Sequence, residues 1–296
     1  MRVLILGGSG MLGHKLSQVY RNRFDTWATV RSSYQAYARY GFFDSKRSLS
    51  GVDAFNSDTV VQALATIRPD VVINCIGIVK QVSAAKDPII SLTVNSLFPH
   101  KLANLCRAAG ARLIHISTDC VFSGSKGGYT EDDVSDAEDL YGRTKFLGEV
   151  SAPGCLTLRT SIIGRELQSA NGLVEWFLSN RGGSVRGYTR AIYSGFSTRA
   201  MADIIANVIE NYPDLSGTYH VSSEPINKYD LLCLLRDAFG VQVEIEPYSE
   251  VHIDRSLDSS RFRAATNFTP PTWDAMIQAI VEDPTPYDKW RISNGV

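Results

Sequence analysis

Tyr141 and Lys145 stand four residues apart in the segment Tyr141-Gly142-Arg143-Thr144-Lys145. Residues at i and i+4 share one face of a helix, so the phenol and the ammonium point the same way. A free phenol has a pKa of ~10, too high for ready proton exchange at neutral pH. A cation on the same face lowers that value and turns the phenol into a usable acid or base. Upstream, Ser117-Thr118-Asp119 follows a strand-like run, and the Thr118 hydroxyl is placed to hold the oxygen that takes or gives the proton. A tyrosine–lysine spacing alone recurs by chance, so its meaning depends on what precedes it.

What precedes it is Gly7-Gly8-Ser9-Gly10-Met11-Leu12-Gly13, with glycines spaced G-x-x-G-x-x-G between an apolar run and a helical pattern. The turn needs glycine for its dihedral angles. Close backbone approach lets N–H groups and the positive helix N-terminus hold a pyrophosphate. Gly7, Ser9, Gly10, Met11, Leu12 and Gly13 are therefore the predicted dinucleotide-binding turn. An oxidised nicotinamide would add a second positive charge beside Tyr141. The ribose of NAD is usually held by a carboxylate at the end of the second strand, whereas an arginine suits the 2′-phosphate of NADP. Here the chain runs Val30-Arg31-Ser32-Ser33, so Arg31 favours NADPH, with NADH the alternative.

The elements that must position these residues are legible in the first half. Val3 to Leu6, Thr26 to Val30, Val71 to Ile76, Arg112 to Ser117 and Cys155 to Thr160 read as strands, several of them apolar enough to be buried on both faces. Met11 to Tyr20, Asp58 to Ile67, Leu92 to Ala109 and Tyr141 to Glu149 read as the helices between them. Repeated β-α units of this length imply right-handed crossovers and an α/β, doubly wound parallel sheet. Beyond Gly164 the rhythm loosens. Asn171 to Leu178, Met201 to Glu210, Tyr229 to Phe239 and a segment after Pro270-Pro271 are helical, with strands at Thr218 to Val221 and Val241 to Pro247. The expected organisation is a dinucleotide-binding domain over 1–165, with elements returning near 196–222. A smaller, interleaved substrate domain takes 166–195 and 223–296.

The chain has 296 residues, 44% hydrophobic and 21% charged, with thirty basic against thirty-one acidic side chains. That balance argues against nucleic acid as the main partner, which would call for a basic stripe. No apolar run reaches the ~18 residues of a membrane span, and Met1 to Gly7 is too short and glycine-broken for a signal peptide. The expected location is cytoplasmic. Five scattered cysteines read as reduced thiols. Five histidines lack ligand spacing, so no metal is predicted. The acidic stretch from Glu131 to Asp139 reads as a solvated loop, and Trp176-Phe177 as packing.

Taken together, these motifs resemble the extended short-chain dehydrogenase/reductases, and within them the dTDP-4-dehydrorhamnose reductases and their nucleotide-sugar relatives. The matching stretches are Met1 to Gly13, Arg68 to Asn74, Ser117 to Gly124, Tyr141 to Glu149 and Leu158 to Ser161. The resemblance implies a Rossmann fold and reduction by NAD(P)H of the 4-keto group of a nucleotide-linked deoxysugar. It makes Thr118, Tyr141 and Lys145 the catalytic set, with Tyr141 and Lys145 also touching the cofactor. It brings Asp53 to the adenine amino group and makes Asn74 and Asn95 structural and cofactor-adjacent positions. The substrate would be a nucleotide-diphosphate sugar, with Asp119, Asn171, Arg190, Arg199 and Arg261 as candidate contacts. Arg263 joins the arginines that could clamp a diphosphate. A homodimer stands among the expected assemblies.

The sequence also departs from that family. Lys15 replaces a glutamate that contributes to a metal-bridged dimer. Tyr188 to Thr198 and Val82 to Lys86 differ from the stretches near the sugar. The alternatives are an epimerase or dehydratase of the same superfamily, and a non-catalytic dinucleotide-binding subunit. A dehydratase usually carries Asp-Glu beside the threonine, where this chain has Asp119-Cys120. A regulatory subunit tends to lose the tyrosine–lysine pair.

Overall fold

The computed structural model describes residues 1–43 and 46–292. Two compact units share the chain. The first takes Met1–Thr118, Glu138–Arg159 and Ala202–Tyr219, and the second Asp119–Ala137, Thr160–Met201 and His220–Val296.

The first unit is built on a seven-stranded sheet. Its elements are β1 (Arg2–Leu6), α1 (Met11–Tyr20), β2 (Asp25–Val30), β3 (Ser48–Ser50), α2 (Ser57–Ile67), β4 (Val71–Asn74), α3 (Pro88–Ser91), α4 (Phe98–Ala109), β5 (Arg112–Thr118), α5 (Leu140–Leu147) and β6 (Cys155–Thr160). Helix α7 (Thr198–Asn211) and strand β10 (Gly217–His220) return late in the chain. The strand order is β10-β6-β5-β4-β1-β2-β3, and β1 runs parallel to both β2 and β4, pairing Val3 with Thr26 and with Val71. That reversal of order about β1 is the doubly wound arrangement expected from the β-α rhythm. Val3, Leu4, Ile5 and Leu6 are fully buried. A strand covered on both faces has no polar side to alternate, which is why these residues form an unbroken apolar run. Each such side chain contributes ~1.5–3 kcal/mol by leaving water.

Local signals set the helix ends. Asn56 accepts from the Asp58 N–H at the start of α2, and Gly110, at φ 70°, closes α4. The single helix expected over Leu92 to Ala109 is interrupted, because Leu92–Leu97 winds as a π-helix before α4. Strand β4 stops at Asn74, two residues earlier than its apolar run, because the Asn74 Oδ1 accepts from the Ile76 N–H and turns the chain. The returning segment is tied in by Arg112, which donates to the carbonyls of Val208 and Leu215, and by Tyr20, whose hydroxyl donates to the Ala202 carbonyl at 2.7 Å.

The second unit holds β7 (Ile162–Ile163), α6 (Leu173–Ser179), β8 (Ser184–Tyr193), β9 (Phe196–Ser197), β11 (Ile226–Asn227), α8 (Lys228–Phe239), β12 (Glu244–Asp254), α9 (Ser260–Thr266), α10 (Trp273–Val281) and α11 (Tyr287–Ile292). Its sheet has the order β11-β8-β12, with β12 parallel and β11 antiparallel to β8, and β7 pairs with β9. Strand β8 is absent from the sequence reading. Val185, Gly187, Ala191 and Tyr193 face inward along it, but Gly187 in place of an apolar side chain and two arginines between them hide the alternation. Gly187 is required there, since a Cβ would lie 2.7 Å from side-chain atoms of both Ile245 and Tyr229.

Two expectations are corrected. Residues 119–137, read as part of the first domain, belong to the second unit. Tyr129 donates to the Ser256 carbonyl and accepts from the Asp258 N–H, and its ring stacks on Phe122 at 4.2 Å. The acidic stretch is not simply solvated either. Glu131 accepts from the His220 N–H, Asp133 takes the Lys126 ammonium, and Asp139 caps α5 through the Gly142 N–H. Among the described residues, no helix is long and apolar enough to cross a membrane.

Candidate active site

The glycine turn joins β1 to α1 with Gly7 at φ +80°, a conformation that side chains rarely adopt. A Cβ on Gly13 would lie 2.1 Å from the Gly7 carbonyl oxygen, so α1 can start this close to the turn only with glycine at that position. A Cβ on Gly10 would meet only the Gly7 oxygen, at 3.4 Å, leaving the helix start open to backbone approach. The first turn of α1 carries no acidic side chain, so nothing offsets its positive end. This is a cradle that extra carbon atoms would fill, and it fits a pyrophosphate. Arg31 follows the last residue of β2 and is exposed. Asp53 is half-buried and accepts from the Phe55 N–H.

The three residues expected to be catalytic are carried by β5 and α5. Thr118 ends β5 and is buried; Tyr141, in the first turn of α5, is half-buried, and Lys145 one turn later is buried. The Lys145 Nζ donates to the Ile116 carbonyl at 2.7 Å, anchoring α5 to β5 two residues before Thr118. On its other side α5 packs against the π-helical segment. Ser96 donates to the Thr144 carbonyl, and Asn95 donates to the Thr144 hydroxyl while bonding both the N–H and the carbonyl of Ile78. Gly148 completes this contact, because a Cβ there would sit 1.8 Å from the Asn95 carbonyl oxygen. Asn74 spends its side chain on the Ile76 N–H and on the His115 Nδ1, 3.1 Å away. Burial, and next the Lys145 charge, push the His115 pKa well down. His115 is thus a neutral core group, as expected of a strand histidine.

Sequence reasoning missed the group behind this face. The Glu149 carboxylate accepts from the Ser117 hydroxyl at 2.6 Å and from the Arg159 Nε and Nη2, both at 2.8 Å. Both charged side chains are under a tenth exposed. Lys145 and Glu149, four residues apart, thereby hold consecutive residues of β5, Ile116 and Ser117. Glu149 was visible in the motif, but nothing in a sequence tells that Arg159 and Ser117 will meet it.

Burial lowers the Lys145 pKa from 10.5 to about 8, against the opposing pull of Glu149 and then Cys75. The Cys75 thiol is itself pushed up to about 12 by burial. Lys145 is therefore cationic below about 8 and neutral above it. On the expectation that Lys145 assists Tyr141 in reducing a carbonyl, kcat/KM falls as pH rises through about 8, because that charge is lost. A profile flat to pH 10 would remove Lys145 from that role. The stability effect has the opposite sign. The unfolded chain keeps this proton up to 10.5, so the fold gains stability as pH rises from about 8 to 10.5.

The substrate candidates are dispersed over the second unit. Asp119 is buried; Asn171, Arg190 and Arg199 are exposed. Arg261 is committed to acidic partners, with its Nη2 2.8 Å from Asp132 and its Nε 3.8 Å from Glu131. Arg263 donates to the Ser259 hydroxyl.

Residues 1–285 match the RmlD substrate binding domain family. Among curated proteins, methionine adenosyltransferase 2 subunit beta of Mus musculus is 26% identical over 254 residues, covering 81% of this chain and 72% of that protein. The dTDP-4-dehydrorhamnose reductase of Streptomyces griseus is 35% identical over 149 residues, covering 50% of this chain and 43% of that one. Among solved structures, dTDP-4-dehydrorhamnose reductase from Bacillus anthracis in complex with NADP superposes with a TM-score of 0.78. It is 22% identical, and the match covers 96% of this chain and 99% of that one.

Proposed function

Because the chain belongs to the RmlD substrate binding domain family, we propose that it reduces the 4-keto group of a nucleotide-linked deoxysugar with NADPH. One observation carries the reading. Tyr141 and Lys145 lie one turn apart on α5, anchored to β5 beside Thr118, in the same unit as the glycine turn. Gly7, Ser9, Gly10, Met11, Leu12 and Gly13 would hold the pyrophosphate, and Asp53 the adenine amino group. Asn74 and Asn95 would shape the cofactor's surroundings, and Lys145 would hold the nicotinamide ribose. When bound, the dihydronicotinamide supplies the hydride. Thr118 holds the sugar carbonyl oxygen by donating its hydroxyl proton. Tyr141 gives that oxygen a proton as the carbon is reduced, and Lys145 stabilises the phenolate that remains.

The test is a panel of dTDP-, UDP-, GDP- and CDP-linked 4-keto sugars, with NADPH oxidation followed optically. Turnover of one of them, dTDP-4-dehydrorhamnose first, is expected; no turnover with any member overturns the reading. The likeness to the beta subunit of methionine adenosyltransferase favours a second reading, a dinucleotide-binding subunit without catalysis. NADPH binding without turnover of any sugar would select it.

Arg31 decides the cofactor. A charge-assisted contact with the 2′-phosphate contributes ~1.5–3 kcal/mol, or roughly one to two decades of preference for NADPH over NADH. Arg31→Asp reverses the preference, since a carboxylate accepts the ribose hydroxyl and repels the phosphate. Equal affinities of the parent protein for the two cofactors would assign Arg31 to solvent and leave the reductase reading standing.

A further inference from the structure

Glu149 follows α5 and reaches two strands at once. Its Oε1 accepts from the Ser117 hydroxyl of β5 at 2.6 Å, and Arg159 of β6 bonds both carboxylate oxygens. The backbone on either side leaves this residue little freedom. Gly148 packs on the Asn95 carbonyl, and the Thr157 hydroxyl bonds both the N–H and the carbonyl of Val150. Both charged side chains are buried. A buried ion pair adds little stability over apolar side chains of similar volume. What it adds is direction, because the guanidinium is a rigid planar fork that fixes both carboxylate oxygens.

That direction is transmitted to the neighbouring residue. Ser117 precedes Thr118 at the end of β5. Successive side chains of a strand point to opposite faces, so the two hydroxyls lie on opposite sides of β5. Glu149 therefore acts on Thr118 through the strand backbone. The Lys145 ammonium already holds the Ile116 carbonyl, but one bond acts as a pivot. A second bond, to the next residue of β5, removes that rotation. We propose that Glu149 is a positioning residue for carbonyl reduction: held by Arg159, it fixes Ser117 and with it the placing of the Thr118 hydroxyl relative to the Tyr141 phenol. This assignment rests on the reductase reading above and adds a supporting layer behind its three catalytic residues.

Ser117→Ala cuts the bond to β5 and leaves the Glu149–Arg159 pair intact. Glu149→Leu with Arg159→Met removes the whole group at similar apolar volume, and gives the same reading if the alanine variant does not fold. The test compares both with the parent, using the sugar that the panel selects. It measures KM for the sugar and kcat per NADPH-binding site, the sites being counted by fluorescence titration. A misplacement of about 1 Å costs up to ~10²-fold in rate. The expected result is therefore a fall in kcat of about tenfold to a hundredfold in both variants, with the sugar KM and NADPH affinity within about threefold of the parent. A kcat per site within threefold of the parent overturns the assignment and leaves the reductase reading intact. So does a loss of activity that only matches a loss of NADPH-binding sites, which marks a role in folding alone. A parent protein that binds NADPH but turns over no sugar of the panel overturns both.

Discussion

Tyr141→Phe should reduce turnover of the 4-keto sugar by ~10²–10⁴, the usual contribution of a positioned general acid, while NADPH affinity stays close to that of the parent. The two effects separate because they depend on different elements. The phenol stands on α5, whereas the pyrophosphate cradle is the turn between β1 and α1. Helix α5 is fixed by contacts that the substitution leaves alone: the Asp139 cap, the Lys145 bond to Ile116, and the packing of Gly148 on Asn95. The rate is measured with the sugar selected by the panel and the affinity by quenching of NADPH fluorescence. Turnover within tenfold of the parent would remove Tyr141 as the proton donor. Loss of NADPH binding would show instead that the phenyl variant disturbs the fold around α5.

Glu149→Ala should lower the unfolding free energy by ~3–5 kcal/mol, because it strands the Arg159 guanidinium in a buried site. Both charged side chains are under a tenth exposed, and the pair is bidentate. Solvent screening therefore gives little relief, unlike the exposed pair of Arg47 with Asp25. The Ser117 hydroxyl also loses its acceptor, one residue before Thr118. Urea titration of the two proteins measures the difference. The double variant Glu149→Leu with Arg159→Met should recover most of it, since a buried ion pair replaced by apolar side chains of similar volume is often close to neutral. A loss below 1 kcal/mol for Glu149→Ala would show that Arg159 reaches water when its partner is removed.

The sequence by itself determined the doubly wound sheet, the glycine turn and the tyrosine–lysine face. Each is written in local chemistry: unbroken apolar runs for strands covered on both faces, glycines where Gly7 turns left-handed and Gly13 touches the Gly7 carbonyl, and a four-residue spacing on one helix. The second unit was less legible. Its long strand β8 carries Gly187 and two arginines within its alternation, and its pairing with the distant β12 supplies what the local pattern lacks. Residues 119–137 read as a loop of the first domain until Tyr129 is seen bonding Ser256 and Asp258. The Glu149–Arg159–Ser117 group and the placing of the Lys228 ammonium over the Tyr193 ring were decided only by tertiary structure. Their members lie on separate elements, and a charged side chain becomes costly or useful only when folding takes away its water. Composition and spacing do not register that burial, since it belongs to the assembled elements and not to any stretch of chain.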